Sequence, residues 1–165
     1  MTDAEVYAGA AVMGAAAGMR SMSAPAIMSQ LAQSGLAPLG HFPLDFLSRP
    51  ATAKSMAVMA VGELIADKLP FMPKRTQAPA LTARAISGGL SGAAVCSLKK
   101  RSMLTGALVG AIAAVGATYA AYNLRKWADE RFNVPDPLIA IVEDAVVAGC
   151  GIWVVSAMRS DSEAA

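Results

Sequence analysis

The chain has 165 residues, of which 55% are hydrophobic and 16% are charged, whereas a typical soluble domain has roughly 25% charged residues. Mean hydropathy is +0.47. With so few charged side chains, one domain of this length could not coat a water-exposed surface, so the composition favours a protein embedded in lipid. The formal net charge is only +2, and no run of about five or six like charges occurs, which argues against nucleic-acid binding.

The cysteines and the histidine do not form a recognisable site. Cys96 and Cys150 lie in apolar runs without CxxC spacing, and His41 is the single histidine. Zinc sites and disulfide scaffolds need closely spaced ligands or paired cysteines, so we predict two buried thiols, no metal site and no cofactor. The first residues include Asp3 and Glu5, where a signal peptide has a positive region, so no cleaved leader is expected.

Charged residues divide the chain into five apolar stretches, each long enough for a membrane helix of about 20 residues. The first stretch is interrupted by the run Ser21-Met22-Ser23-Ala24-Pro25, because proline removes a backbone donor and disturbs the turn before it. A loop is predicted over about 35–52. The predicted helices cover residues of about 5–20 with 24–34, then 52–69, 78–98, 102–132 and 137–158.

The fold class that follows is all-α. We predict a polytopic integral membrane helical bundle of about five membrane helices, with a Pro-broken segment after the first. Residues 1–165 form a single membrane domain in this interpretation. Small residues recur at four-residue intervals and predict close helix contacts: Ala10, Gly14 and Gly18, then Gly88 and Gly92, then Gly106 and Gly110.

Four ionisable residues lie inside the predicted membrane helices, where each costs at least about 2.5 to 3.5 kcal/mol on insertion scales. Glu63, Arg84 and Glu143 each lie about six residues from a helix end on the N-terminal side, so all three are roughly 9 Å deep. Asp144, the fourth, follows Glu143 but points about 100° around the helix. Arg125 can reach the same level with its long side chain.

This polar cluster has two interpretations. Thr118 and Tyr122 share a helix face with Arg125 through i, i+4, i+7 spacing and are predicted as further polar lining. In the structural interpretation, Arg84 and Arg125 are counter-ions that fix helix packing. In the functional one, a carboxylate carries protons or cations along a path, and the candidate sites are Glu63, Asp67, Glu143 and Asp144.

The interruption after the first helix is a candidate anion or gate region. A helix that restarts after Ser23 presents free backbone N–H groups and the positive end of its dipole, with Arg20 close by. Broken helices at membrane depth are typical of transporters. The alternative is a proline kink, or an interfacial hairpin whose Arg20 reaches lipid headgroups. The candidate residues of this region are Arg20, Ser21, Ser23 and Pro25.

Membrane orientation is not decided by the basic residues. Five spans would leave six Lys or Arg residues on the N-terminal side, among them Lys126, and seven on the other, among them Lys99, Lys100 and Arg101. This balance gives the positive-inside rule almost nothing to act on. Insertion in both orientations and a wrong span count would each produce it.

Several short motifs together resemble one known family. They are Gly18-Met19-Arg20-Ser21 before Pro25, then Gly62-Glu63-Leu64-Ile65-Ala66-Asp67-Lys68, then Arg84, then Pro135-Asp136-Pro137 with Glu143-Asp144. In this order and spacing they resemble the bacterial membrane proteins grouped as domain of unknown function 4126. The resemblance implies an integral membrane helical protein whose charged residues are shared motif positions, and it implies no activity.

The predicted function is that of a small transporter or channel-like protein for a small solute, ion or lipid. The alternative is a membrane scaffold or accessory subunit whose charged cluster is structural. No Ser/His, Cys/His or HExxH arrangement predicts an enzyme, although Glu63 with Asp67 leaves a lipid-modifying activity as a minor alternative. Expected partners are membrane lipids, further copies of the chain and, for a scaffold, another protein; the expected location is the bacterial cytoplasmic (inner) membrane.

Overall fold

The computed structural model describes residues 2–34, 39, 43–66, 77–132 and 136–163. Over these ranges the chain is helical and has no strand, which confirms the predicted all-α class. A short 3-10 helix, Leu44–Ser48, lies between the second and third α-helices. In chain order the α-helices are α1 (Asp3–Met19), α2 (Ser23–Gln33), α3 (Pro50–Ala66), α4 (Ala78–Leu98), α5 (Met103–Phe132) and α6 (Asp136–Glu163).

The helix boundaries follow the prediction closely, with three differences. α1 begins two residues early because Thr2 and Glu5 form a capping box, in which the Glu5 amide donates to Thr2 Oγ1 and the Thr2 amide donates to Glu5 Oε2 at 2.6 Å. α3 begins at Pro50, inside the predicted loop, since proline fits the first helical position. α6 continues to Glu163 rather than ending near 158.

Helices α1, α4 and α5 form the centre of the bundle and pack at backbone contact. A Cβ atom added to Gly14 would lie 2.7 Å from the Cα atom of Gly110, and one added to Gly88 would lie 2.7 Å from the Gly110 carbonyl oxygen. A Cβ atom on Gly106 would lie 2.6 Å from Cys96 Sγ. The small-residue faces predicted from the sequence are therefore where these three helices meet.

The contacts also give the helix directions. Gly14 and Gly18 of α1 meet Gly110 and Ala114 of α5 in the same order, so these two helices are parallel. α4 runs antiparallel to both, because Gly92 faces Gly106 while Gly88 faces Gly110.

An ion pair fixes which end of the bundle holds the turn between α4 and α5. Arg101 in that turn pairs with Asp3 at the start of α1. The turn therefore lies at the same end as the N-terminus, which we call the N-terminal end; the opposite end is the far end. The prediction that Lys99, Lys100 and Arg101 lie opposite the N-terminus is wrong. The predicted division of the basic residues, with six on the N-terminal side and seven on the other, is therefore wrong as well.

The reason is that the chain reverses between α1 and α2. Ile27 of α2 packs at Gly151 of α6, while Arg20, just before α2, contacts Asp144. α2 therefore advances alongside α6, which returns from the far end after α5. α1 and α2 form a helical hairpin rather than one kinked span, and α3 then runs back to the far end, where Glu63 meets the hairpin turn.

The outer surface of the bundle carries many large apolar side chains, unlike the surface of a water-soluble bundle. The contact between α1, α4 and α5 is formed largely by alanine and glycine. The buried interior also holds larger apolar side chains, such as Met13, Leu47 and Val95, and the polar residues Arg20, Arg84, Ser87, Ser91, Thr118 and Glu143. Other large aliphatic side chains point outward, including Val58 and Ile65 on α3, Leu104 and Ile112 on α5 and Ile152 on α6. Ile112, for example, is 72% exposed.

Among the described residues, two helical segments are long and apolar enough to cross a membrane, judged by length and composition: Met103–Phe132 and Pro137–Ser160. They support membrane association of the chain. The five predicted spans are not confirmed by this criterion. α1 and α3 have 17 residues each, whereas a spanning helix needs about 20, and α4 has 21 residues but is not apolar enough.

Candidate functional site

The turn between α1 and α2, residues Arg20 to Met22, is the point on which most of the predicted polar residues converge. Arg20 ends α1 in an extended conformation, and Met22 caps α2 without a side-chain hydrogen bond. A chain reversal inside a bundle leaves amides and carbonyls outside the regular helical pattern, and each needs a partner when buried. Those partners come from the other helices.

Glu63 of α3 binds the amides of the turn. The Ser21 amide donates to Oε1 and the Met22 amide donates to Oε2, both at 2.8 Å. This is the geometry of an anion held at a helix N-terminus. The sequence predicted a candidate anion or gate region here, with donors at the start of the helix after Ser23. In the structure the Glu63 carboxylate binds the two amides just before that helix.

Carbonyls at the end of α1 and in the turn accept hydrogen bonds from α4 and α5. The Gly18 carbonyl oxygen accepts from Arg84 Nη1 at 2.6 Å and from Thr118 Oγ1 at 2.9 Å. The Ser21 carbonyl accepts from the Ser87 hydroxyl. Arg84 and Thr118 are both buried, so charged and polar side chains at the centre of the bundle donate hydrogen bonds to backbone carbonyls where the helix is interrupted.

Arg20 connects the turn to α6. Its side chain is 1% exposed, and Nε donates to Asp144 Oδ1 at 2.6 Å. Asp144 is 29% exposed, so the carboxylate forms the accessible side of this ion pair. The sequence alone provided no partner for Asp144, because Arg20 is distant in sequence and was assigned to a separate region.

A second ion pair joins α5 to α6 beside the first. Arg125 Nε donates to Glu143 Oε1 at 2.7 Å, and Arg125 Nη2 donates to Glu143 Oε2 at 2.5 Å. This two-pronged geometry is the strong form of an arginine–carboxylate pair. Glu143 is 5% exposed. Adjacent acids on α6 thus receive arginines from different helices, Glu143 from α5 and Asp144 from the end of α1.

The remaining predicted residues are placed as follows. Tyr122 is 43% exposed and lies away from the buried cluster, although Thr118 on the same helix is inside it. Glu63 binds backbone amides rather than Arg84 or Arg125. Pro25 is buried within α2, and Asp67 lies outside the described residues.

A groove opens beside the turn, between α2, α3 and α6. Its volume is about 460 Å³. Arg20, Asp144 and Ser23 form a polar group at one end, and Gln30 of α2 is a further polar contact. The walls are otherwise apolar and include Ile27, Ala57, Ala60, Leu64, Val147 and Val155.

The sequence-based prediction missed Ser87 and this groove. Ser87 follows Arg84 by three positions and precedes Ser91 by four, so a polar stripe along one face of α4 was available as a signal. The groove had no comparable signal, because its walls come from three helices whose neighbourhood depends on the reversal after α1.

The sequence profile of the family described as Domain of unknown function (DUF4126) matches residues 8–157. The chain belongs to this family. Neither a curated protein nor a solved structure matches it. The resemblance inferred from the short motifs is thereby confirmed.

Within this DUF4126 chain, several residues of the motifs that carried the resemblance lie together at the hairpin turn. Gly18 and Arg20 form the end of α1, Glu63 caps the turn, Arg84 binds the Gly18 carbonyl, and Asp144 pairs with Arg20.

The described residues contain no group of three His, Cys, Asp or Glu side chains that could hold a metal ion. Cys96 is a buried free thiol at the α4–α5 contact, and Cys150 is a half-buried free thiol on α6. The groove with its Arg20–Asp144 end has room for a ligand.

Proposed function

We propose that this DUF4126 protein is an integral membrane protein and that lipid surrounds its helices. The support is the large exposed apolar surface of the bundle, because a surface of this extent on a soluble protein would be a binding or aggregation surface. Buried arginines and carboxylates with partners are also the arrangement expected where charges would otherwise face hydrocarbon. The family resemblance implies the cytoplasmic membrane of a bacterium as its location.

The α1–α2 hairpin fits this environment. Arg84 lies six residues after the start of α4, so the turn that it binds is about 9 Å from that helix end. Non-helical backbone at such a depth is tolerated where protein buries it or where it lines a cavity. Both conditions are met, because side chains satisfy the turn and the groove begins beside it.

We propose transport of a small solute, ion or lipid as the function, and the groove that ends at this turn is the observation that carries the proposal. Glu63 provides a means of coupling proton binding to a movement of the helices. A proton on the Glu63 carboxylate would remove its charge and turn one acceptor into a donor, so one of the two amide bonds at Ser21 and Met22 would be lost. The turn and α2 could then move relative to α3.

The test is flux through reconstituted vesicles. Phospholipid vesicles with and without the protein are assayed for proton entry with a pH-sensitive dye and for movement of a fluorescent phospholipid between leaflets. We expect one of these rates to exceed that of protein-free vesicles, and Glu63→Gln to lower it. Glu130→Gln, at an exposed carboxylate on α5, should leave the rate unchanged. Rates equal to those of protein-free vesicles in both assays would overturn the proposal.

A membrane scaffold or accessory subunit is the second candidate, favoured by a specific observation. The three described carboxylates of the cluster, Glu63, Glu143 and Asp144, all contact donors within the chain. Such a network can fix packing without any transport step. The scaffold proposal expects no flux, and a strong loss of stability on neutralising any one of the three.

We propose a homo-oligomer to accompany the transport function. The helices α1, α4 and α5 meet through alanine and glycine at backbone contact and leave no room for a pathway between them, so further copies would enclose one. Mass measurement by light scattering in detergent checks this.

A further inference from the structure

The groove between α2, α3 and α6 has the shape of a site for an elongated molecule. Asp144 and Val155 both line it and are 11 positions apart on α6, which at about 1.5 Å per residue makes the groove about 16 Å long. Its volume of about 460 Å³ lies in the usual range of ligand sites, roughly 300 to 1,000 Å³.

The walls leave room because their side chains are small. Ala57 and Ala60 of α3 face this space together with Ala26 of α2. Longer side chains at these positions would close the gap between the helices. Such walls offer few hydrogen-bond partners, so a compact polar solute would lose its contacts with water at a cost in free energy. An apolar chain has no such cost and is therefore the occupant that fits.

The polar end of the groove determines which charged group of an elongated ligand can bind there. Asp144 contributes a carboxylate that is 29% exposed and uses Oδ1 to bind Arg20, so it offers an accessible anionic surface. Arg20 lines the same end with a cationic group. A purely anionic headgroup would be repelled by Asp144, and a purely cationic one by Arg20.

We propose that the groove binds a zwitterionic phospholipid, with one acyl chain along α6 and the headgroup at the Arg20–Asp144 pair. The ammonium group lies at the Asp144 carboxylate, and the phosphate lies on the side of Arg20 and Ser23. The assignment rests on the proposed membrane transport function and names its substrate class.

The experiment compares two single-chain lipids with the same acyl chain. Purified protein in detergent is titrated with lysophosphatidylethanolamine, which is zwitterionic, and with lysophosphatidylglycerol, which is anionic, and bound lipid is counted by native mass spectrometry. We expect the zwitterionic lipid to bind about tenfold more tightly, because only its ammonium group can pair with the Asp144 carboxylate.

Ala60→Phe, which fills the groove, should weaken binding of the zwitterionic lipid by about tenfold or more, because much less of the apolar surface of the acyl chain can then be buried. Ala120→Phe is the matched control, because Ala120 is exposed on α5 and does not line the groove. Asp144→Asn should abolish the preference between the two lipids.

Equal affinities for the two lipids in the wild-type protein would overturn the assignment, and so would unchanged binding in Ala60→Phe. Ala60 makes none of the hydrogen bonds that hold the turn, so the binding measurement on Ala60→Phe remains a valid test even if Asp144→Asn fails to fold. Headgroup preference without any flux in vesicles would defeat the transport proposal and leave the lipid site in place. Flux without headgroup preference would defeat the lipid site alone.

Discussion

Neutralising Glu63 should destabilise the protein by an amount that follows from its two hydrogen bonds. In Glu63→Gln one side-chain oxygen remains to accept from one amide, while the new NH2 group faces the other amide, donor against donor. Bonds to a charged acceptor contribute about 1.5 to 3 kcal/mol each, and a neutral one contributes about 0.5 to 1.5 kcal/mol. Since Glu63 is half-buried and water can partly replace the lost acceptor, we expect a loss of about 2 to 3 kcal/mol.

The assay is equilibrium unfolding in mixed micelles of a mild detergent and sodium dodecyl sulfate, followed by the fluorescence of Trp127 and Trp153. Glu130→Gln is the control. Its carboxylate is exposed and lies 3.8 Å from Lys126 one helical turn away, an arrangement that contributes at most about 0.5 kcal/mol. If Glu63→Gln unfolds with the same free energy as this control, the carboxylate does not hold the turn and the reasoning is refuted.

Two further pairs of variants test the core by the same unfolding assay. Glu143→Gln leaves Arg125 without its carboxylate and should cost about 3 to 5 kcal/mol, whereas the double variant Glu143→Leu with Arg125→Met should recover most of this loss; a single variant as stable as the double one would contradict it. Gly110→Ala forces α1 and α4 away from α5 and should cost about 1 to 3 kcal/mol. Gly116→Ala, where a Cβ meets no atom within 4 Å, should instead stabilise by up to about 1 kcal/mol through helix propensity, and equal effects of the two would contradict the packing.

Helix positions were predictable because they depend on local features. Proline and clustered charges mark the ends of apolar stretches, and the four-residue spacing of Gly14, Gly18, Gly106 and Gly110 marks the faces that pack. The 3-10 helix at Leu44–Ser48 was missed, since a segment held by contacts such as the Ser29 hydroxyl on the Leu47 carbonyl has little local signal.

The reversal after α1 was not predictable from hydropathy. An uncharged stretch interrupted by Pro25 is equally compatible with a kinked helix and with two antiparallel helices, and only tertiary contacts decide between them. The reversal moves α3 and the α4–α5 turn to new ends of the bundle. This is why the sorting of Lys99, Lys100 and Arg101 failed although the helices themselves were correctly placed.

Most of the charged residues singled out in the sequence lie close together in the structure, but their partners were not all identified. The structural interpretation expected Arg84 and Arg125 to neutralise Glu63 and Glu143, and Arg125 pairs with Glu143 on the adjacent helix. Glu63 was expected to meet an arginine and instead binds backbone amides of Ser21 and Met22, a partner that a search among side chains does not consider. Asp144 could be joined to Arg20 only once α6 was known to pass the hairpin turn.

The central claim is that the chain crosses lipid as a bundle whose first two helices form a hairpin, and cysteine labelling tests it most directly. Thr2→Cys, Lys100→Cys and Lys126→Cys are made in a background with Cys96→Ala and Cys150→Ala, and sealed vesicles are labelled with a membrane-impermeant maleimide. The account predicts equal accessible fractions at positions 2 and 100, and a complementary fraction at 126. Labelling of position 2 together with 126 rather than with 100 would contradict the hairpin, and complete labelling at all three positions would contradict the membrane crossing.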